Sequence, residues 1–321
     1  MEPPFPSDTE PGRETETVVT ALYRTLSPSQ RREICFDWNY CDPQRGLLRA
    51  FISNHWQITR PCIRSAFFTR AQQDLIHDAF RNLFDPAWYP RFKQQLEHDT
   101  HGHPWGTDQS IGIFGDPENG PFQFVMSGRH FTWRAGTDAE ARAAFGGPIL
   151  YGHQATGYYE KPHHPGNAFW QQALSMSQLA GMLDEQQLKH AVVDSLPPET
   201  AIGFRNERPG IPVTALTAGQ RRELEDTLAV LVEPLRAVDR ARVMQCLARQ
   251  GGLDQCHVMF SREGRMSAPH WDNWRIEGPS FVWHFRGFPH VHVWVHVAED
   301  TSVEANARRG TFLFANQDPL R

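Results

Sequence analysis

No run in the 321 residues approaches the roughly 20 consecutive apolar residues that a membrane-crossing helix requires, so no spanning segment and no membrane partner are expected. Cysteine is scarce and scattered. Cys35, Cys41, Cys62, Cys246 and Cys256 are odd in number and contain no Cys-x-x-Cys pair, which argues against a disulfide framework or a zinc ribbon and favours free thiols in a reducing compartment. Basic blocks are missing too: 32 Lys and Arg stand against 37 Asp and Glu for a net charge of −5, so no nucleic-acid partner is expected. The N-terminus has no basic segment followed by an apolar run. It reads Glu-Pro-Pro-Phe-Pro-Ser-Asp-Thr-Glu-Pro instead, and the expectation is a soluble, cytoplasmic protein whose residues 1–16 form a loosely attached or disordered tail. His-Glu-x-x-His, Gly-x-Ser-x-Gly and phosphate-cradling loop motifs are all absent.

Helix grammar and aromatic residues are plentiful. Ser27-Pro-Ser-Gln30, Thr69-Arg-Ala-Gln72, Asp184-Glu-Gln-Gln187 and Thr217-Ala-Gly-Gln220 each place a capping side chain three positions before a glutamine that can answer it. Their irregular spacing does not indicate a solenoid. The pattern predicts helices over 28–38, 45–54, 70–84, 88–98, 168–181, 184–193, 218–233 and 237–250. Strands are expected at Ile111–Phe114, Phe122–Met126, His130–Trp133, Cys256–Ser261, Trp274–Pro279 and Phe281–Phe285. The expected architecture is α+β, a single domain over 17–321 with an antiparallel sheet core surrounded by capped amphipathic helices.

The densest chemistry lies at 281–297, Phe-Val-Trp-His-Phe-Arg-Gly-Phe-Pro-His-Val-His-Val-Trp-Val-His-Val, which reads as a β-hairpin. Strict alternation puts His290, His292, Trp294 and His296 on one face, and Val291, Val293, Val295 and Val297 on the other. Residues two apart on a strand are roughly 6.5–7 Å apart, so His290 and His292 can converge on one ion about 2.0–2.1 Å from each nitrogen. His296, roughly 13 Å from His292 along the strand, is a stretch for the same ion and is left to a second ion or an outer-shell role. A second His-x-His, His101 and His103, falls among glycine and proline in a loop and ranks below the strand pair. The long segment from Gly146 to Gly166 is rich in glycine, proline and aromatics and is expected to cover a cleft, with His153 pointing inward and His163 and His164 at the surface.

Over most of residues 20–300 the chain resembles an uncharacterised family labelled domain of unknown function 3500. The resemblance is carried by the capped helix starts, Gly128-Arg-His-Phe-Thr132, Gly147-Pro-Ile-Leu-Tyr-Gly152, Trp274-Arg-Ile-Glu-Gly-Pro279 and His290-Val-His292. It implies two adjacent histidines where this chain has Arg129-His130, a glutamate where His284 stands, and glutamates where Gln171-Gln172 stand. This chain keeps His130, His290 and His292 and trades at least one acid for imidazole.

The combined expectation is a metal held by His130, His290 and His292, with His284 as a fourth or second-site ligand and His153 reaching in from the loop. Imidazole-rich sites suit copper, zinc, iron or nickel, and the exchange of acid for imidazole favours copper, then iron. The expected function is a metal-dependent oxidoreductase using oxygen on a small organic substrate. Tyr151, Tyr158, Tyr159, Trp283 and Trp294 would line its pocket, with Tyr158, Glu160 and Glu277 as catalytic candidates and the two glutamates relaying protons. The alternatives are a zinc hydrolase, using a water whose pKa the ion lowers to about 7, and a non-catalytic metal- or ligand-binding protein.

Overall fold

The computed structural model describes residues 14–137, 142–154, 168–261, 273–287 and 289–314. Its helices are α1 (Thr15–Thr25), α2 (Pro28–Ile34), α3 (Arg70–Arg81), α4 (Tyr89–Asp99), α5 (Trp170–Met182), α6 (Glu185–Ala191), α7 (Ala218–Val232) and α8 (Ala237–Arg249). The first half contributes strands β1 (Cys35–Phe36), β2 (Cys41–Asp42), β3 (Gly46–Leu47), β4 (Phe51–Trp56), β5 (Ser110–Gly115), β6 (Phe122–Gly128), β7 (Phe131–Gly136) and β8 (Ile149–His153). The second adds β9 (Val192–Val193), β10 (Ile211–Pro212), β11 (His257–Ser261), β12 (Asn273–Gly278), β13 (Phe281–Arg286), β14 (Val291–Val297) and β15 (Asn306–Phe312).

All four cap-x-x-Gln signatures form reciprocal capping boxes, at the starts of α2, α3, α6 and α7. The glutamines then pair between helices. Gln30 Nε2 donates to Gln72 Oε1 at 2.8 Å, and Gln220 Nε2 donates to Gln187 Oε1 at 2.7 Å, so each pair of caps is tied by its amide groups. The helix expected over 45–54 is not there. Leu48–Ala50 is a single 3-10 turn and 51–56 is β4, where buried Phe51 and Ile52 pack as strand residues and pair in parallel with β15. Order along the first helix begins at Thr15, inside the segment expected to be a tail, and Glu16 on that helix pairs with Arg236.

The main sheet runs β1-β5-β6-β7-β8-β14-β13-β12-β11-β10, with β9 also on β11. It is mixed rather than purely antiparallel, because β1 joins β5 and β9 joins β11 in parallel. Parallel neighbours need a long crossover, here supplied by helices, and strands of two residues are too short to announce themselves by alternation.

The element order repeats itself. A helix, a capped short helix, a two-residue strand, a capped longer helix, another helix and four successive sheet strands occur once in 15–153 and again in 170–297. In each half the two-residue strand pairs in parallel with the first strand of the four, and the halves meet where β8 and β14 run antiparallel. The trace in sequence is Gly-x-x-Phe-x-Trp at both tight hairpins, Gly128 to Trp133 and Gly278 to Trp283, with Gly128 opposite Phe131 and Gly278 opposite Phe281.

Burial explains the two faces of β14. Val291, Val293, Val295 and Val297 join the large core shared with the helices, whereas Trp294 packs on the opposite face with Ile52, Leu150, Ile202 and Val282. His296 lies beside them, fully buried, its Nδ1 donating to the Ile202 carbonyl at 2.9 Å and its ring stacked on Phe204. Burial lowers its pKa to about 4. The folded protein therefore resists a proton that the unfolded chain accepts near pH 6.5, so the contribution is present above 6.5 and is lost as pH falls towards 4. His296→Asn, which keeps an N–H for Ile202 but cannot titrate, should flatten the stability curve between those pH values by about 3 kcal/mol. Urea unfolding of both proteins at a series of pH values checks this; parallel curves would refute it.

Candidate metal centre

His130 occupies the tight turn between β6 and β7, with a positive φ of 50°. A non-glycine residue in that region stores strain and stays there only when its surroundings hold it. Here the His130 amide donates to the Asn54 carbonyl at 2.8 Å, and the Arg129 amide donates to Asp108 Oδ2 at 2.5 Å. The carboxylate comes so close that a Cβ on Gly128 would sit 2.9 Å from Asp108 Oδ2, which is why a glycine opens the turn. His55 Nε2 lies 3.2 Å from the other Asp108 oxygen.

The turn aims His130 at the start of β14. His130, His290 and His292 each offer a ring nitrogen, and the three nitrogens lie within 4.8 Å of one another. His290 Nε2 and His292 Nε2 are 2.9 Å apart. Two nitrogens bound at about 2.0–2.1 Å to one ion, at right angles, would be separated by about that distance. The neutral donor set suits a borderline transition metal.

Behind the imidazoles stand two carboxylates. Asp99, the last residue of α4, accepts from His130 Nδ1 at 2.6 Å, and Glu199 Oε2 lies 2.9 Å from His292 Nδ1. With Nδ1–H directed at a carboxylate, Nε2 of each ring is left as the ligand, the outer-shell arrangement that fixes tautomer and orientation in metal sites. Arg286 Nη2 also comes within 2.7 Å of His292 Nδ1, but a guanidinium only donates; with that proton aimed at Glu199, the contact belongs to the Arg286–Glu199 ion pair at 3.3 Å. Burial first, and then the neighbouring charges of His130 and Arg286, lowers the pKa of His290 to about 3 and that of His292 well below its usual value. Both rings are thereby kept in the neutral form that binds metal. Burial alone would raise Asp99, yet charge and hydrogen bonds from His130 and His153 bring it down to about 2.

The remaining candidates fall elsewhere. His153, at the end of β8 and opposite Val291, faces away from His292 and reaches the centre through Asp99, whose Oδ1 is 3.2 Å from its Nδ1. His284 shares the imidazole face of the sheet, opposite Trp294 and Arg275, but is not among the three converging histidines. It lines an adjoining cleft of about 370 Å³ together with Glu199 and Arg286. Glu277 is buried and spoken for: both its oxygens are 2.5 Å from Arg205, and Arg275 Nε adds a contact at 2.8 Å, which leaves no free oxygen for relaying a proton. Tyr151 and Trp283 belong to the core on the valine side, with the Tyr151 hydroxyl on Gln172, so of the expected pocket aromatics only Trp294 shares the imidazole face within the described residues. Tyr158, Tyr159, Glu160, His163 and His164 lie outside the described residues.

Asp99, Glu199 and Arg286 are the functional residues that sequence reasoning passed over. Asp99 had a faint signal, since an acid in the last turn opposes the helix dipole and asks for another reason to be there. Glu199 follows two prolines in a connector and had none.

The family model described as "Protein of unknown function (DUF3500)" matches residues 8–298, which takes in the whole centre. The chain belongs to this family. The three histidines and both supporting carboxylates thus lie within the family region. No curated protein and no solved structure matches the chain. No helix among the described residues is long and apolar enough to cross a membrane.

Proposed function

We propose that this chain is a metal-dependent enzyme holding a transition-metal ion between His130, His290 and His292, and that it is an oxidoreductase, with copper or else non-haem iron, acting on a small organic molecule. The observation that carries the reading is the convergence of three imidazoles, two of them backed by a carboxylate on the far nitrogen. Neutral donors leave the ion its full charge and open coordination positions, and such an ion supplies redox chemistry with a small substrate or oxygen. The neighbouring cleft of about 370 Å³ gives a substrate somewhere to sit, which a closed storage site would not need. A larger cleft of about 630 Å³ lies elsewhere and lacks Glu199 and Arg286, the two residues through which the smaller one meets His292.

A zinc-dependent hydrolase is the second reading. It is favoured by the paired carboxylate–histidine contacts, which are common behind zinc, and by His284, the extra imidazole that favoured copper, standing outside the converging three. Elemental analysis and electron paramagnetic resonance of protein purified without an affinity-metal column separate the two. About one copper or iron per chain with the matching signal is the expected outcome. Stoichiometric, spectroscopically silent zinc would move the assignment to hydrolysis, and a metal-free preparation that takes up none of these ions would end both readings.

A further inference from the structure

The cleft beside the three histidines is lined by Glu199, Ser261, Asn273, His284, Arg286 and Arg309, among others. It shares Glu199 and Arg286 with the metal centre, since both side chains also touch His292 Nδ1. Glu199 is the one acid in its lining among the described residues and is already engaged by His292 and Arg286. Arg309, on β15, makes no hydrogen bond or ion pair among the described residues.

Several buried nitrogens around this cleft lack a partner among the described residues. Arg286 Nε is buried without one, and so is His284 Nδ1, on a side chain only 3 % exposed. Directly across the strand from His284 stands Arg275, 0 % exposed, whose Nη1 is likewise without a partner among the described residues. Burying donors unpaired is costly, and guanidinium groups satisfy that need best with the oxygens of an anion. Among the described residues cationic charge thus exceeds acid at a cleft that meets His292 through Glu199 and Arg286.

We infer that this cleft is a subsite for the oxyanion end of a small molecule, a carboxylate or a phosphate, held by Arg309, Arg286 and His284 with the rest of the molecule directed towards His290 and His292. The inference rests on the metal-dependent reading for its functional meaning, but the anion subsite itself needs no ion. The substrate class is accordingly an organic anion rather than a neutral or cationic compound.

Calorimetric titration of the full chain, freed of metal by chelation, with benzoate and separately with inorganic phosphate tests this. At least one of the two should bind, the one that does identifying the class, and Arg309→Gln should weaken it roughly tenfold. Arg309 is exposed, so the variant should fold as the parent does. If neither anion binds, or if Arg309→Gln titrates like the parent, the subsite is rejected. Binding that appears only after metal loading, and ignores Arg309→Gln, would put the anion on the ion and reject the subsite too. Anion binding that depends on Arg309 in a protein found to take up no metal would keep the subsite while removing the metal centre.

Discussion

Replacing His292 by alanine is expected to abolish stoichiometric metal binding. His292 is the most constrained of the three proposed ligands, with Nε2 2.9 Å from that of His290 and Nδ1 2.9 Å from Glu199, and it is fixed within β14. Its loss leaves two nitrogens, from a turn and from a strand approach, with no third donor within reach among the described residues. The affinity loss should exceed the roughly 100-fold that accompanies removal of an outer-shell partner. Metal analysis after dialysis reads this directly. Thermal unfolding gives a second measure, because a ligand at about 100 times its dissociation constant stabilises the folded state by about 2.7 kcal/mol. That metal-induced gain should appear in the parent and vanish in His292→Ala. A variant that keeps both its ion and the gain would show that the histidines gather for packing alone.

Asp99→Asn should act on stability and on affinity together. The buried carboxylate accepts from His130 Nδ1 at 2.6 Å and from the Gln154 amide at 2.5 Å, with His153 Nδ1 at 3.2 Å, thereby joining α4 to the β6–β7 turn and to the end of β8. An asparagine keeps one oxygen and turns its NH2 towards a donor. Leaving a buried donor unsatisfied in this way costs about 1–3 kcal/mol, and loss of the proton acceptor behind a metal-binding histidine costs about 10–100-fold in affinity. Urea unfolding reads the first effect and competition with a metal-sensitive chelator dye the second. Glu199→Gln is the useful comparison, because Glu199 sits in a connector: it should lower affinity over a similar range with a smaller stability change. Full metal affinity in Asp99→Asn would reduce Asp99 to a structural tie.

The parts of this molecule that could be read from sequence are those whose physics is local. Capping boxes are settled within four residues, and all four start helices where the spacing predicts them. The valine and imidazole faces of β14 follow from alternation alone, and the three histidines named first are the three that converge. What depended on distant partners was not legible. Glu199 meets His292 across 93 positions, and Asp99 meets His130 across 31, with no periodic signal to announce either. The segment 45–54 misled because its apolar spacing suits a helix, whereas β15, far along the chain, supplies the strand partner that decides it. His284 lies on the expected strand and face, but cross-strand register sets it beside Arg275 and Trp294, outside the converging three.

The repeated element order bears on how the protein comes apart. His130 belongs to the first half and His290 and His292 to the second, so the two halves supply unequal shares of one centre at the end of their common seam. In the second half the position matching His130 is Ser280, so the arrangement occurs once among the described residues. An ion held there acts as a rivet between stretches separated by about half the chain, and its binding free energy adds to the work of parting β8 from β14. Each half has its own capped helices and hairpins to keep it folded. If the proposed ion is held there, its withdrawal should loosen the join before it melts either side, and amide exchange along the β8–β14 seam should quicken ahead of exchange within the flanking hairpins.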